Sequence, residues 1–96
     1  MDQNMLRKMQ KLQKELELKN EEFMEQEFKA SKHGVTIVAK GSKKIVSIMI
    51  EDSNLLDPED PEIIEDVILL LLNELFEEID EKQQALMPNM PSGFGF

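Results

Sequence analysis

The chain has 96 residues, 41% of them hydrophobic and 32% charged, with a formal net charge of −9. That is a globular composition with room for one domain, and a chain this short buries only about 60–65% of its unfolded surface when it folds alone. With no cysteine, disulfide scaffolds, thiolate metal sites and cysteine nucleophiles are excluded, and a reducing compartment fits.

Charge is unevenly placed. Residues 1–50 carry ten basic and seven acidic side chains, whereas residues 51–96 carry one basic and thirteen acidic. Net charge alone therefore does not argue against a nucleic-acid partner. Met1-Asp2-Gln3-Asn4 leads into a charged segment unlike a signal peptide. The longest apolar run, Val67 to Leu72, is six residues, against the roughly 20 that a membrane span needs. A soluble, cytoplasmic protein with no membrane contact is expected.

Met5, Met9, Leu12, Leu16 and Phe23 recur at heptad-like steps, with Lys19 filling the missing one. No Gly or Pro precedes Gly34, so the spacing predicts a helix over residues 3–25. Its apolar stripe is narrow and suits pairing with another helix better than covering a broad core. From Phe28 to Ile50 the period changes to two. A short strand at Phe28–Ser31 turns through Lys32-His33-Gly34 into Val35–Lys40. Gly41-Ser42 then suits a type II′ turn leading into Ile45–Ile50, which would pair Ile37 with Val46 and Val35 with Ile48. The result is a three-stranded antiparallel meander.

Asp57-Pro58-Glu59-Asp60-Pro61-Glu62 closes the sheet region and opens a second helix, with Asp60 as N-cap and Pro61 at the first helical position. This helix should run to about Met87, where Pro88 stops it. Its first half is apolar nearly all round (Ile63, Ile64, Val67 to Leu72). One sheet covers one side only, so a partner subunit is expected over the rest. The α-β-β-β-α domain thus occupies residues 1–87, and residues 88–96 form a mobile tail rich in Met, Pro, Gly and Phe.

At about 100° per residue, Arg7, Lys8, Lys11 and Lys14 fall on the side of the first helix away from its apolar stripe. No acid occurs among residues 3–14, whereas Glu17, Glu21, Glu22 and Glu25 dominate the second half. The positive patch is confined to the outer half of the helix. It reads either as a solvated face or as a contact for a phosphate backbone.

Catalytic and metal chemistry find no support. His33 sits in a Gly-flanked turn with no nucleophile near it in sequence. Asp52-Ser53-Asn54 begins like a calcium loop but has Asp57 where that loop needs Gly and Ile63 where it needs Glu. The Glu21, Glu22 and Glu25 cluster has no nearby His, and no phosphate-cradling glycine loop occurs. No enzyme activity, cofactor, metal or small-molecule substrate is expected.

The order helix, three strands, helix and Met/Gly/Pro/Phe tail resembles the YbaB/EbfC family of bacterial nucleoid-associated proteins. Leu6-Arg7-Lys8-Met9-Gln10-Lys11-Leu12-Gln13 is similar to the family's Met/Gln/Lys opening. The stretch from Val46 to Leu56 is similar to its final strand and acid-plus-Leu-Leu exit. Glu65-Asp66-Val67-Ile68, four apolar residues and then Asn73-Glu74 resemble its Glu-Asp-Leu-Val…Asn-Asp helix. Two departures stand out. Leu69, Leu70 and Leu71 occupy positions where family members often have small residues. Glu77, Glu78, Asp80 and Glu81 stand where many have basic ones, which leaves DNA contact to the first helix.

The resemblance implies an α+β fold and a tweezer-shaped homodimer with two projecting helical arms. It also implies a cytoplasmic, nucleoid-associated protein that binds DNA, most simply double-stranded, with low sequence specificity. The expected DNA contacts are Arg7, Lys8, Lys11 and Lys14, with Lys29, Lys32, Lys43 and Lys44 as auxiliaries. The expected dimer interface is Ile64, Val67, Ile68, Leu70, Leu71, Leu72 and Leu75. The alternative is a non-enzymatic protein-binding adaptor whose arm seams dock a partner helix.

Overall fold

A computed structural model describes residues 2–86, so the expected mobile tail at 88–96 lies outside the described residues. Helix α1 spans Gln3–Glu25, and strands β1 (Glu27–Lys32), β2 (Val35–Lys40) and β3 (Ile45–Ile50) follow. A short 3-10 turn at Ser53–Leu55 leads to helix α2, Glu62–Leu86. Asp2 starts α1 by accepting the Met5 N–H at 2.7 Å, as an N-cap carboxylate does. Gln26 ends it in extended backbone while still donating to the Glu22 and Phe23 carbonyls. The α2 start falls one residue later than an Asp60 cap would give, with the Pro61 carbonyl accepting from the Glu65 N–H at 3.2 Å.

The sheet order is β1-β2-β3, all antiparallel. His33 (φ 52°) and Gly34 (φ 80°) are both left-handed, so β1 and β2 join through a two-residue turn of the I′ kind, whose twist matches the strands. Gly34 has a second constraint: a Cβ there would lie 2.6 Å from Asp52 Cβ.

The second hairpin corrects the expected register. Ile37 pairs with Ile48 and Val35 with Ile50, with an irregularity between Val38 and Ala39. The connection is the four residues 41–44, closed by Lys40 N–H to Lys44 O at 2.9 Å and Lys43 N–H to Lys40 O at 2.8 Å. Lys43 rather than Gly41 takes the left-handed conformation, at φ 71°. A slip of two keeps Ile48 and Ile50 on the face of Ile37 and Val35, but the irregularity exchanges the start of β3: Ile45 stands opposite Ala39 and packs on the core, whereas Val46, the expected partner of Ile37, is 46% exposed.

Gly41 is needed for a different reason. It is buried against the end of α1, where a Cβ would collide with the Phe23 carbonyl oxygen and lie 2.8 Å from Phe23 Cδ1. Gly41 N–H to Gln26 O (2.9 Å) and Ser42 N–H to Met24 O (3.3 Å) fasten α1 to the sheet there. Phe23 is buried and its ring lies 5.4 Å from that of Phe28.

The core lies between one sheet face and α2. Phe28, Val35, Ile37 and Ala39 meet Val67, Leu71, Leu75 and Ile79, all buried. The four α2 residues are four apart and so share one meridian of the helix. On the far side Leu69 and Leu70 remain exposed, and Ile63, one turn before Val67 on the core line, is also exposed at the start of the helix. The described part of α1 has one buried residue, Phe23, and its residues through Glu15 are all exposed. The molecule is therefore elongated, 70 × 25 × 14 Å with a radius of gyration of 19.5 Å, against about 12–13 Å for a compact chain of this length.

Candidate nucleic-acid interface

The outer half of α1 is an arm of about 20 Å, from 13 exposed residues at 1.5 Å each. It carries Arg7, Lys8, Lys11 and Lys14, all exposed, and none of the four forms an ion pair among the described residues. The helix points its positive dipole end toward the tip, which reinforces their field, while the capping Asp2 offsets part of it. Since no carboxylate occurs from residue 3 to 14, the four cations have no competing acid on their own stretch.

The four auxiliary lysines divide. Lys32 Nζ holds Glu74 at 2.7 Å and Lys43 Nζ holds Asp80 at 2.7 Å, so both are engaged by α2. Lys43 also lies 5.9 Å from the centre of the Phe76 ring. Lys29 and Lys44 are exposed and in no ion pair among the described residues. Lys40 binds Glu25 at 2.8 Å, a clasp between β2 and the end of α1. That hydrogen bond and charge hold the Glu25 carboxyl below its usual range and raise the Lys40 ammonium.

The expected dimer residues are also divided. Val67, Leu71 and Leu75 are covered by the sheet of their own chain, so they form core. Ile64, Ile68 and Leu72 are half-buried at the edge of that core, and Leu70 is 43% exposed on the helix flank nearer β1. The other flank lies toward the loop that leads into β3, where Lys43 meets Asp80 and Phe76. There Leu69 is 59% exposed, beside half-buried Leu72 and Phe76. Ile48 shares the core face with Ile37 yet is 46% exposed, because α2 sits over β1 and β2 and leaves β3 partly bare. Ile48, Leu69 and Phe76 were absent from the expected set. The signal was present: past Leu72 the apolar residues thin to Leu75, Phe76 and Ile79, and stepping back by four from Ile79 finds the core meridian.

Elsewhere the polar groups have structural roles. Thr36, buried, donates to Glu51 at 2.6 Å and shares a 2.9 Å hydrogen bond with Ser31. Asp52 Oδ1 accepts the Asn54 N–H and starts the 3-10 turn. Among the described residues no group of three His, Asp or Glu converges as a metal site, and no helix is long and apolar enough to cross a membrane.

Comparison with known proteins bears on this geometry. The model of the YbaB/EbfC DNA-binding family matches residues 1–94. A nucleoid-associated protein of Mycoplasmopsis pulmonis is 42% identical over 93% of this chain and 88% of its own length. One from Acetivibrio thermocellus is 36% identical over 96% of this chain and 82% of its own. A crystal structure of an uncharacterized protein from Helicobacter pylori shares the fold, with a TM-score of 0.71 at 24% identity over 90% of this chain and 92% of that one.

Proposed function

The chain belongs to the YbaB/EbfC DNA-binding family, and we propose that it binds double-stranded DNA as a homodimer whose α1 arms grip the phosphate backbone. The observation that carries this reading is the arm itself. It holds four exposed cations, in no ion pair among the described residues, on an acid-free stretch that stands clear of an otherwise acidic body. Lysine and arginine on a smooth helix make backbone contacts that position a protein without reading bases, so sequence specificity is low. Lys29 and Lys44 are the auxiliaries still available, whereas Lys32 and Lys43 must first give up Glu74 and Asp80.

The body supplies the dimer contact. The apolar surface of Ile48, Ile68, Leu69, Leu72 and Phe76 is what a second copy would cover, with β3 and the neighbouring flank of α2 meeting their counterparts. An exposed apolar surface flanked by charge marks an association site. The protein acts by binding, is not an enzyme, and works at the nucleoid in the cytoplasm.

The test is a DNA titration of wild type against Lys8→Glu/Lys11→Glu. Both residues are exposed and off the apolar stripe, so the variant should stay folded and dimeric while DNA binding is abolished. Undiminished binding by that variant would make the basic face a solubilising one and end the proposal.

A further inference from the structure

The arm has a second face that DNA binding leaves unused. Met5, Met9 and Leu12 are 56%, 52% and 55% exposed on one side of α1, and Leu16 is half-buried at its root. Steps of 4, 3, 4, 3 and 4 through Met5, Met9, Leu12, Leu16, Lys19 and Phe23 are the alternating spacing of a coiled-coil seam. Phe23 ends the series inside its own core, which leaves the stretch from Met5 to Leu16 open.

We infer that this seam pairs with the arm of a second copy, antiparallel, with Met5 level with Leu16 of the second copy and Met9 level with its Leu12. The direction follows from charge. A parallel, in-register pair sets Lys19 against Lys19 within the seam and places uncharged Gln13 across from Lys8. The antiparallel pair sets Lys8 beside Glu15 of the second copy twice, once on each side of the centre. The same register brings Lys19 level with Asp2 at both ends, which accounts for a charged residue at a seam position. The seam needs residues 5–16 only, about 18 Å of helix, which the exposed arm provides.

Arg7, Lys11 and Lys14 lie roughly 180–240° round the helix from Met5, so they still face outward when the seam is closed. Pairing therefore leaves three cations per arm for phosphates while Lys8 turns from DNA to Glu15. The surface fits a second copy of this chain, and the paired arms form a cross-link between two molecules each able to hold its own duplex. A four-layer seam is short and its ion pairs are solvent-exposed, so the association is weak and reversible.

The experiment uses the whole chain without DNA and exploits its lack of cysteine. Met5→Cys and Leu16→Cys proteins are mixed under mild oxidation, and the disulfides are read by mass. The antiparallel seam predicts a mixed disulfide and little self-linking of Met5→Cys, whose sulfurs would sit about 16 Å apart along the axis. Faster self-linking of Met5→Cys would establish a parallel pair and overturn the inference, as would no linking above that of the exposed control Asn20→Cys. A second readout keeps the native seam. By sedimentation at low salt, Lys8→Glu and Glu15→Lys should each weaken the association of body-paired dimers into larger assemblies roughly tenfold, leaving the dimer itself intact. The double variant Lys8→Glu/Glu15→Lys should restore it. Unaltered association in both single variants, or failure of the double variant to recover, would refute the charge pairing.

Discussion

Replacing Gly41 with Ala sets two effects of opposite sign against each other. Gly41 is not left-handed, so an alanine can adopt its backbone and should stabilise by about 0.4–1 kcal/mol through the unfolded chain. Against that, the new methyl would collide with the Phe23 carbonyl oxygen and sit 2.8 Å from both the Phe23 carbonyl carbon and Cδ1. Two of those atoms are backbone at the point where α1 is hydrogen-bonded to the sheet, so they cannot swing aside as the end of a flexible side chain can. Overpacking of this kind costs about 1–3 kcal/mol. The clash should win, with a net loss of about 1–2 kcal/mol and a fall in Tm of roughly 5–15 °C. Circular dichroism melting at one fixed protein concentration measures it, since the proposed dimer would make Tm depend on concentration. Ser42→Ala, in the same loop but exposed, is the control and should change little. A Gly41→Ala protein as stable as wild type would show that the α1 root yields, and the rigid attachment of the arm would be wrong.

Other perturbations separate core from surface. Leu71→Ala empties a fully buried site and should cost about 2–5 kcal/mol in urea unfolding, whereas Leu70→Ala, on the exposed flank, should cost far less. If the proposed interface holds, wild type should sediment as a dimer and Leu69→Asp as a folded monomer, because a carboxylate would be buried unpaired there; a dimeric Leu69→Asp protein would move the interface elsewhere. Glu25→Gln removes the clasp to Lys40. Because Glu25 is held below its ordinary value, its contribution is present above that value and lost as the pH falls through the lowered one. The variant should therefore lose its small deficit relative to wild type on acidification, as melts at neutral and acidic pH would reveal.

Much of the fold was legible because it is local. The heptad steps from Met5, the alternation from Val35 and the Asp-Pro signals before Glu62 are periodicities and boundary signals that need no tertiary knowledge. What escaped depends on contacts distant in sequence. Gly41 looked like a turn glycine, yet it is small to admit Phe23, eighteen positions earlier, and the turn it was assigned is really a four-residue loop. The I′ turn at His33-Gly34 lacked the usual Asn or Asp. Lys32 and Lys43 could not be set apart from Lys29 and Lys44, because Glu74 and Asp80 reach them only across the fold. The apolar start of α2 concealed which of its leucines face inward, since on that stretch every meridian is hydrophobic. The arm cations were accessible to sequence reasoning for the opposite reason: nothing packs on them.

The most direct test of backbone gripping is the salt dependence of DNA affinity. Four arm cations per chain give eight in the proposed dimer, and about six phosphate contacts predict a slope of log affinity against log salt near −5, from roughly 0.9 per neutralised phosphate. The net charge of −9 per chain repels DNA at long range, so binding should be modest and strongest at low salt. A fluorescence anisotropy titration of a short duplex across a salt series measures the slope, with duplexes of unrelated sequence giving nearly the same value. A slope near zero, or affinity confined to one sequence, would contradict arms that hold DNA by its phosphates.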